Sequence, residues 1–403
     1  MKTVFVLVDA LKSLYLTEDN MPFLYGLSKK GQYIKQVIPC AGFCERSEIF
    51  SGLDGFDTGN FTAIGYLPEN SPYRNDYLTL RLFEIIRTFN ERLYQRLFQS
   101  WRIHSKKRLN NYRIPPASLR NFALTEDGIK RIIPHRDIFN VLTENGMTYT
   151  LDGFTSLADL GRRTELSVSA LAQREIEKGT DFIPLYIGET DSIGHHYGDD
   201  IESIRPTLKK VDQQLKSIYE KASASNYSFC VLGDHGMVPV KNKIDVISLI
   251  QGTGLRLHKD YEAFYDSTMA RFWFISSEAK QIITSILKQL CHLGILVDEE
   301  NFFDYRLPLD IKGESGRPIY GDIVWCANPG VLISPDYFHT SSDNGMHGYI
   351  KTIDGHGTGL FVEMFPGIAP IVLDNAHSSQ ICEELCKSLG IESPNNIKWI
   401  RIV

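Results

Sequence analysis

No stretch of this chain reaches the roughly 18 consecutive apolar residues that a membrane-spanning helix needs. It has no internal repeat and no low-complexity tract, which sets aside solenoids and flexible linkers. A strong charge of one sign is also missing. With 43 Lys/Arg against 49 Asp/Glu the net charge is −6, too mild for a dedicated nucleic-acid binder, so no nucleic-acid polymer is expected as partner. Cysteine is scarce and odd in number: seven residues, at 40, 44, 230, 291, 326, 382 and 386, several of them in apolar segments. Free thiols in a reducing compartment are the simplest account, and a cytoplasmic location is expected. A cleavable leader is not expected either. The opening MKTVFVLVDAL has an apolar run of only about six residues with no small-residue cleavage site after it, and it reads as a first strand.

The chain does contain ample material for a core. Its 403 residues are 43% apolar and 23% charged, enough for two ordinary domains or one large α/β domain with insertions. Strand-like runs at Val4–Val8, Phe182–Ile187, Tyr227–Leu232 and Gly359–Met364 alternate with helical patterns at Met21–Lys30, Ser47–Ser51, Ile201–Ala222 and Ser378–Leu389. That alternation predicts an α/β fold, a mostly parallel central sheet flanked by helices on both faces. The core is expected to comprise 1–254 and 336–403, with a helical insertion at about 77–135. Residues 255–335, with a helix over Glu278–Leu293, read as an inserted cap. Residues 77–113 hold nine Lys/Arg against two Glu, a net of +7, with Leu82, Ile86, Phe89, Leu93 and Leu97 recurring at steps of three and four. This predicts a basic amphipathic helix. Either its apolar stripe packs on the core, or it serves as a lid or a peripheral contact with acidic lipid headgroups.

Four short clusters carry the chemistry: Asp9 in VFVLVDAL, Asp191 and His195 in GETDSIGHHYG, Asp234 and His235 in VLGDHGM, and a late histidine. Carboxylate oxygen and imidazole nitrogen are the ligands that hard-to-borderline divalent cations take, and two such cations can clamp a phosphoryl group. Asp9, Asp191 and Asp234 fall at the carboxyl ends of strand-like runs, where open α/β sheets gather their ligands. Gly194 favours a loop for the Asp191–His195 pair. His347 in MHGY and His356 in DGHGT both lie in glycine-rich surroundings before the last strong strand, and at most one of them is expected to bind metal. His196 reads as solvated, and His292 and His339 as ordinary surface or packing residues.

Taken together these motifs resemble the alkaline phosphatase superfamily, and within it the type I phosphodiesterase/nucleotide pyrophosphatase branch. The resemblance implies two zinc ions, with manganese also compatible. Asp191, His195 and His347 match the ligands of one ion, Asp9, Asp234 and His235 those of the other, and the His-Gly-Tyr context favours His347 over His356. It further implies a small phosphoester or pyrophosphate substrate, nucleotide- or lipid-linked.

One departure stands out in PCAGFCERSEIFSGL. The family's nucleophile opens a helix ten residues before a glycine that here is Gly52, and the count lands on Gly42, which has neither hydroxyl nor thiol. Three accounts are open. The helix N-terminus at Gly42–Phe43 seats the phosphate while metal-bound hydroxide attacks. Alternatively Cys44, or Cys40, supplies a thiolate. Or the site binds a phosphoester without turning it over. Arg46 matches a phosphate-binding arginine of the similar sulfatases, its other reading being an ion pair with Glu45 or Glu48. Asn60 resembles the family asparagine that donates to a nonbridging oxygen, or is a turn residue. The expected activity is metal-dependent hydrolysis of a phosphodiester or pyrophosphate. The alternatives are a phosphomonoesterase, sulfatase-like hydrolase or phosphotransferase, or a non-catalytic phosphoester-binding protein.

Overall fold

The structure, a computed structural model, describes residues 1–110, 113–127, 130–152, 166–339, 343–353, 355–365, 367 and 369–395. Its centre is a six-stranded sheet. From one edge to the other the strands are Ile371–His377, Gln32–Ile38, Gly359–Met364, Ser228–Gly233, Thr3–Val8 and Phe182–Ile187. Gly359–Met364 runs antiparallel to both of its neighbours, and the remaining pairings are parallel. The mostly parallel sheet and its flanking helices agree with the sequence reading, and Phe182–Ile187 and Gly359–Met364 fall on the expected bounds.

The strand Thr3–Val8 shows why. Val4, Val6 and Val8 face one side, packed with Leu24, Leu208 and Leu215, while Phe5 and Leu7 face the other with Phe50 and Leu385. Both faces are covered, so the strand reads as a continuous apolar run rather than an alternating one. Gln32–Ile38 and its neighbour at the sheet edge, Ile371–His377, lie outside the strands expected from sequence. The first alternates buried and half-exposed residues, and the second is largely exposed from Ile371 to Asn375, so neither has a continuous apolar run to announce it.

Within 255–335 a second, wholly antiparallel sheet is ordered Tyr261–Tyr265, Met269–Phe274, Ile323–Ala327, Gly294–Val297. The helix Ser277–Gln289 packs beside it. The turn between its first two strands carries Asp266 and Ser267 to the wall of the central cavity.

The basic segment differs from the single helix expected. It forms two helices, Tyr77–Phe89 and Glu91–His104, broken at Asn90, whose side chain accepts a hydrogen bond from the Leu93 amide at 2.9 Å. The side facing the body is Leu80, Phe83, Tyr94 and Phe98. The expected stripe does not pack on the core: Leu82, Phe89, Leu93 and Leu97 are exposed and Ile86 is half-buried.

Phe5 has no exposed surface and lies 6.0 Å from the Phe50 ring and 6.2 Å from Phe182. Phe5→Ala should cost about 3–5 kcal/mol of stability, measured as a lowered urea midpoint. An unchanged midpoint would contradict this packing.

Candidate metal centre

Asp9 follows Thr3–Val8, Asp234 and His235 follow Ser228–Gly233, and Asp191 and His195 lie in the helix Glu189–Tyr197 that follows Phe182–Ile187. These three strands are parallel neighbours, so segments far apart in sequence open at one edge of the sheet. The turn after Asp9 is tight. Ala10 adopts φ 54°, and its amide donates to Asp234 Oδ1 at 3.2 Å. A left-handed alanine is strained by roughly 1–3 kcal/mol, as is common at functional sites. Asp9 is held further by the Tyr186 hydroxyl, which donates to its carboxylate, and by the Thr190 hydroxyl, which donates to its carbonyl.

Two of the three imidazoles are aimed by their second nitrogen. His235 Nδ1 pairs with the Gly236 carbonyl at 2.8 Å, which leaves Nε2 at 3.1 Å from Asp9 Oδ1 and 3.9 Å from Asp234 Oδ1. His195 Nδ1 pairs with the Gly345 carbonyl at 2.9 Å, leaving Nε2 at 3.2 Å from Asp191 Oδ1. Such outer bonds fix the tautomer of a ligating histidine. His347 arrives by another route: the short strand Gly345–Met346 pairs antiparallel with Val238–Pro239. Its Nε2 lies 3.6 Å from Asp191 Oδ1, and its ring stacks on His235 with centroids 3.8 Å apart and planes at 6°.

Among the described residues, three sets of potential ligands result, each with its atoms within 4.8 Å of one another: Asp9, Asp234 and His235; Asp191, His195 and His347; and Glu45, His235 and His347. The first two are the sets that the resemblance implied. The third joins one imidazole from each to the carboxylate that begins the helix Glu45–Ser51.

The residues fit divalent cations on several counts. Asp191 Oδ1 is buried with the imidazoles of His195 and His347 at 3.2 and 3.6 Å, neither in a well-formed hydrogen bond, a costly condition that a cation would relieve. Burial pushes Asp234 up to about 8 and Glu45 up to about 7, with the Asp9 charge adding to both. Burial opposes a charged His235, but the adjacent Asp234 and Asp9 outweigh it and raise its pKa, which displays how strongly this pocket attracts positive charge. Burial, followed by the charges of His235 and His195, pushes His347 well down, towards the neutral form that ligates metal.

The clusters open into a cavity of about 430 Å³ whose walls include Phe43, Arg46, Thr62, Ser267, Phe338 and His339. Arg46 is on this wall as expected, its guanidinium carbon 5.3 Å from the Tyr186 ring centroid.

Other expectations are corrected by the geometry. Gly42–Phe43 is not an anion seat, because the helix starts at Glu45 and the Phe43 amide donates to the Phe61 carbonyl at 3.1 Å. Phe43 reaches the cavity with its ring, edge-on to His347 at 5.2 Å. Gly42 has φ 87°, and a Cβ there would lie 2.1 Å from Phe61 O. The glycine belongs to a tight turn that no side chain could occupy. Cys44 is buried outside the cavity lining, and burial, followed by the charges of Glu126 and Glu45, pushes its thiol well up. Cys40 is buried likewise and its thiol is also pushed well up, by burial and then Glu48. Neither supplies a ready thiolate. Asn60 is buried and also absent from the lining, its amide nitrogen 3.5 Å from the Thr58 carbonyl; from the same segment Thr62 reaches the cavity instead. Asp191 and His195 stand one turn apart on a helix rather than a loop, with Gly194 packed against Met237. His356 lies apart from all three ligand sets, 3.4 Å from Asp199, and His196 is exposed.

The sequence reading passed over Glu45, whose only signal was its place beside Arg46. It also passed over His339, which lines the cavity 3.0 Å from Asp336 and 3.3 Å from Asp343.

Comparison with known proteins agrees with this architecture. Human ectonucleotide pyrophosphatase/phosphodiesterase 5 superposes with a TM-score of 0.68 at 15% identity, covering 99% of this chain and 98% of that one. An inactive form of the murine protein in complex with AMP superposes with a TM-score of 0.69 at 15% identity, covering 98% of this chain and 97% of that one. An ectonucleotide pyrophosphatase/phosphodiesterase from Caenorhabditis elegans is 23% identical over 208 residues, 51% of this chain. The match spans only 25% of that relative's length. The profile described as type I phosphodiesterase/nucleotide pyrophosphatase matches residues 55–350, beginning just after the helix that bears Glu45 and Arg46. The chain belongs to the type I phosphodiesterase/nucleotide pyrophosphatase family of the alkaline phosphatase superfamily.

Proposed function

We propose that this chain is a metal-dependent hydrolase of phosphodiester or pyrophosphate bonds in small nucleotide-like or lipid-linked molecules. The observation that carries the reading is the meeting of two Asp/His triads in one cavity with the Glu45 carboxylate facing both. Asp191, His195 and His347 would hold one divalent ion, and Asp9, Asp234 and His235 the other. Their mixed oxygen and nitrogen donors suit zinc and also manganese. Two such ions, when bound, polarise phosphoryl oxygens and acidify water.

The remaining work falls to the chain's own side chains. Arg46 presents a planar fork to two nonbridging oxygens. Glu45 takes the role that Gly42 cannot: its carboxylate accepts the proton of the attacking water as the new P–O bond forms. The leaving oxygen departs with the electron pair of the bond that breaks. Phe43 and Phe338 give the cavity apolar walls against which a base or an acyl chain can rest. The AMP complex of the murine relative supports the nucleotide form of the substrate.

Elemental analysis should find about two divalent ions per chain, and at a hundredfold excess over Kd each should add about 2.7 kcal/mol of stability. A chelator should therefore lower the melting midpoint and abolish turnover of an aryl diester. Tight metal without turnover of aryl diester, aryl monoester, aryl sulfate or dinucleoside pyrophosphate would move the protein to a binding role.

Glu45→Gln should reduce kcat/KM by about 10²–10⁴. Cys44→Ala should stay within about threefold of wild type, since buried structural thiols are inert. Equal large losses in both would return the thiol to the mechanism. Phosphorus stereochemistry should show inversion; retention would make Glu45 a covalent nucleophile instead.

Gly42→Thr restores a hydroxyl at the family's usual position, yet it should not raise activity. It should destabilise the protein by more than the roughly 1–3 kcal/mol of strain at a special φ, because a Cβ there meets Phe61 O at 2.1 Å. A gain in turnover would overturn this account of the turn.

A further inference from the structure

We propose that the helical hairpin Tyr77–Phe89/Glu91–His104 is a docking surface for an anionic lipid bilayer. The hairpin has two apolar faces. One packs inward: Phe83 and Phe98 meet at 5.2 Å, Tyr94 and Phe98 at 5.6 Å, and Phe98 and Trp101 at 5.5 Å. That aromatic floor accounts for the hairpin's attachment to the body.

The other apolar face points to solvent. Leu78, Leu82, Ile85 and Phe89 follow one another at steps of four, three and four, so they form a single stripe along about 16 Å of helix. Leu78 is 79% exposed and Phe89 84% exposed. On the second helix Leu93 and Leu97 stand one turn apart and are also exposed. A solvent-facing stripe on a helix whose opposite side is already packed is a surface awaiting an apolar medium.

Charge selects the medium. Arg81 flanks the first stripe, Arg92 and Arg96 flank the second, and all three are exposed. Residues 77–113 carry a net +7, and the chain as a whole −6; the remainder therefore carries −6 − 7 = −13. An anionic membrane attracts this one region and repels the rest, which orients the molecule as well as binding it. The described chain has no helix long and apolar enough to cross a membrane, so the contact is interfacial. The hairpin is also tied to the cavity wall: Arg113, just beyond it, donates from its backbone to the Tyr337 carbonyl at 2.7 Å and from its guanidinium to the His339 carbonyl at 2.8 Å.

Flotation of the full chain with large vesicles tests this directly. Binding to phosphatidylcholine vesicles containing about a third phosphatidylglycerol should exceed binding to pure phosphatidylcholine by about tenfold or more, and should weaken with salt. Leu82→Asp with Phe89→Asp should abolish flotation, and Arg92→Glu with Arg96→Glu should remove the anionic preference. All four positions are exposed, so far-UV circular dichroism and the melting midpoint should be unchanged. Arg46→Ala, which removes the fork for phosphoryl oxygens in the cavity, should float like wild type, which separates docking from substrate capture. Equal binding to neutral and anionic vesicles, or none to either, overturns the proposal. So does a dimer in sedimentation equilibrium that disappears with the Leu82→Asp and Phe89→Asp changes, because the stripe would then be an interface between copies.

Discussion

Negative charge packed at the carboxyl ends of adjacent parallel strands is the constraint on which this molecule turns. Asp9, Asp234 and Asp191 follow three neighbouring strands, and Glu45 approaches from a helix on the same rim. Four carboxylates so close together repel one another in a low-dielectric setting unless cations lie among them. The rigid sheet beneath, apolar on both faces, holds them there regardless. The strained Ala10 and the hydroxyls of Tyr186 and Thr190 show further how much of the surroundings is devoted to holding one carboxylate in place.

From that constraint the chemistry takes its character. Three imidazoles, His235 buried and His195 and His347 half-buried, are each turned by a backbone pairing or a ring stack so that a nitrogen faces the acids. Such an assembly is pre-organised: the donors do not have to be gathered when a phosphoryl group arrives. At Gly42 this chain has a turn pressed against Phe61, and three residues on the Glu45 carboxylate lines the cavity.

Much of this was legible in the sequence, for physical reasons that differ from element to element. Strands covered on both faces, such as Phe182–Ile187, announce themselves by unbroken apolar runs. The half-exposed Gln32–Ile38 and the exposed Ile371–His377 give no such signal. The six Asp and His residues stood out because strand ends in α/β sheets converge. Glu45 did not, because counting back from Gly52 presumes a helix start that the Gly42 turn moves by three residues. His339 is visible only in three dimensions, through Asp336, Asp343 and Ser267. The orientation of the basic hairpin stayed open in the sequence: its heptad-like pattern fits either an inward or an outward stripe, and only the aromatic floor of Phe83, Tyr94 and Phe98 decides which way it faces.

The reversed direction of Gly359–Met364 has an effect of its own. In a purely parallel sheet, every loop at the reactive rim leaves a strand. Here one loop enters a strand instead, so the chain bearing His347 is anchored before it by the Gly345–Met346 pairing and after it by the central sheet. A rim segment clamped at both ends can lengthen, shorten or change composition without disturbing the frame that sets the other five Asp and His residues. That arrangement gives descendants of this fold an inexpensive place to explore new leaving groups.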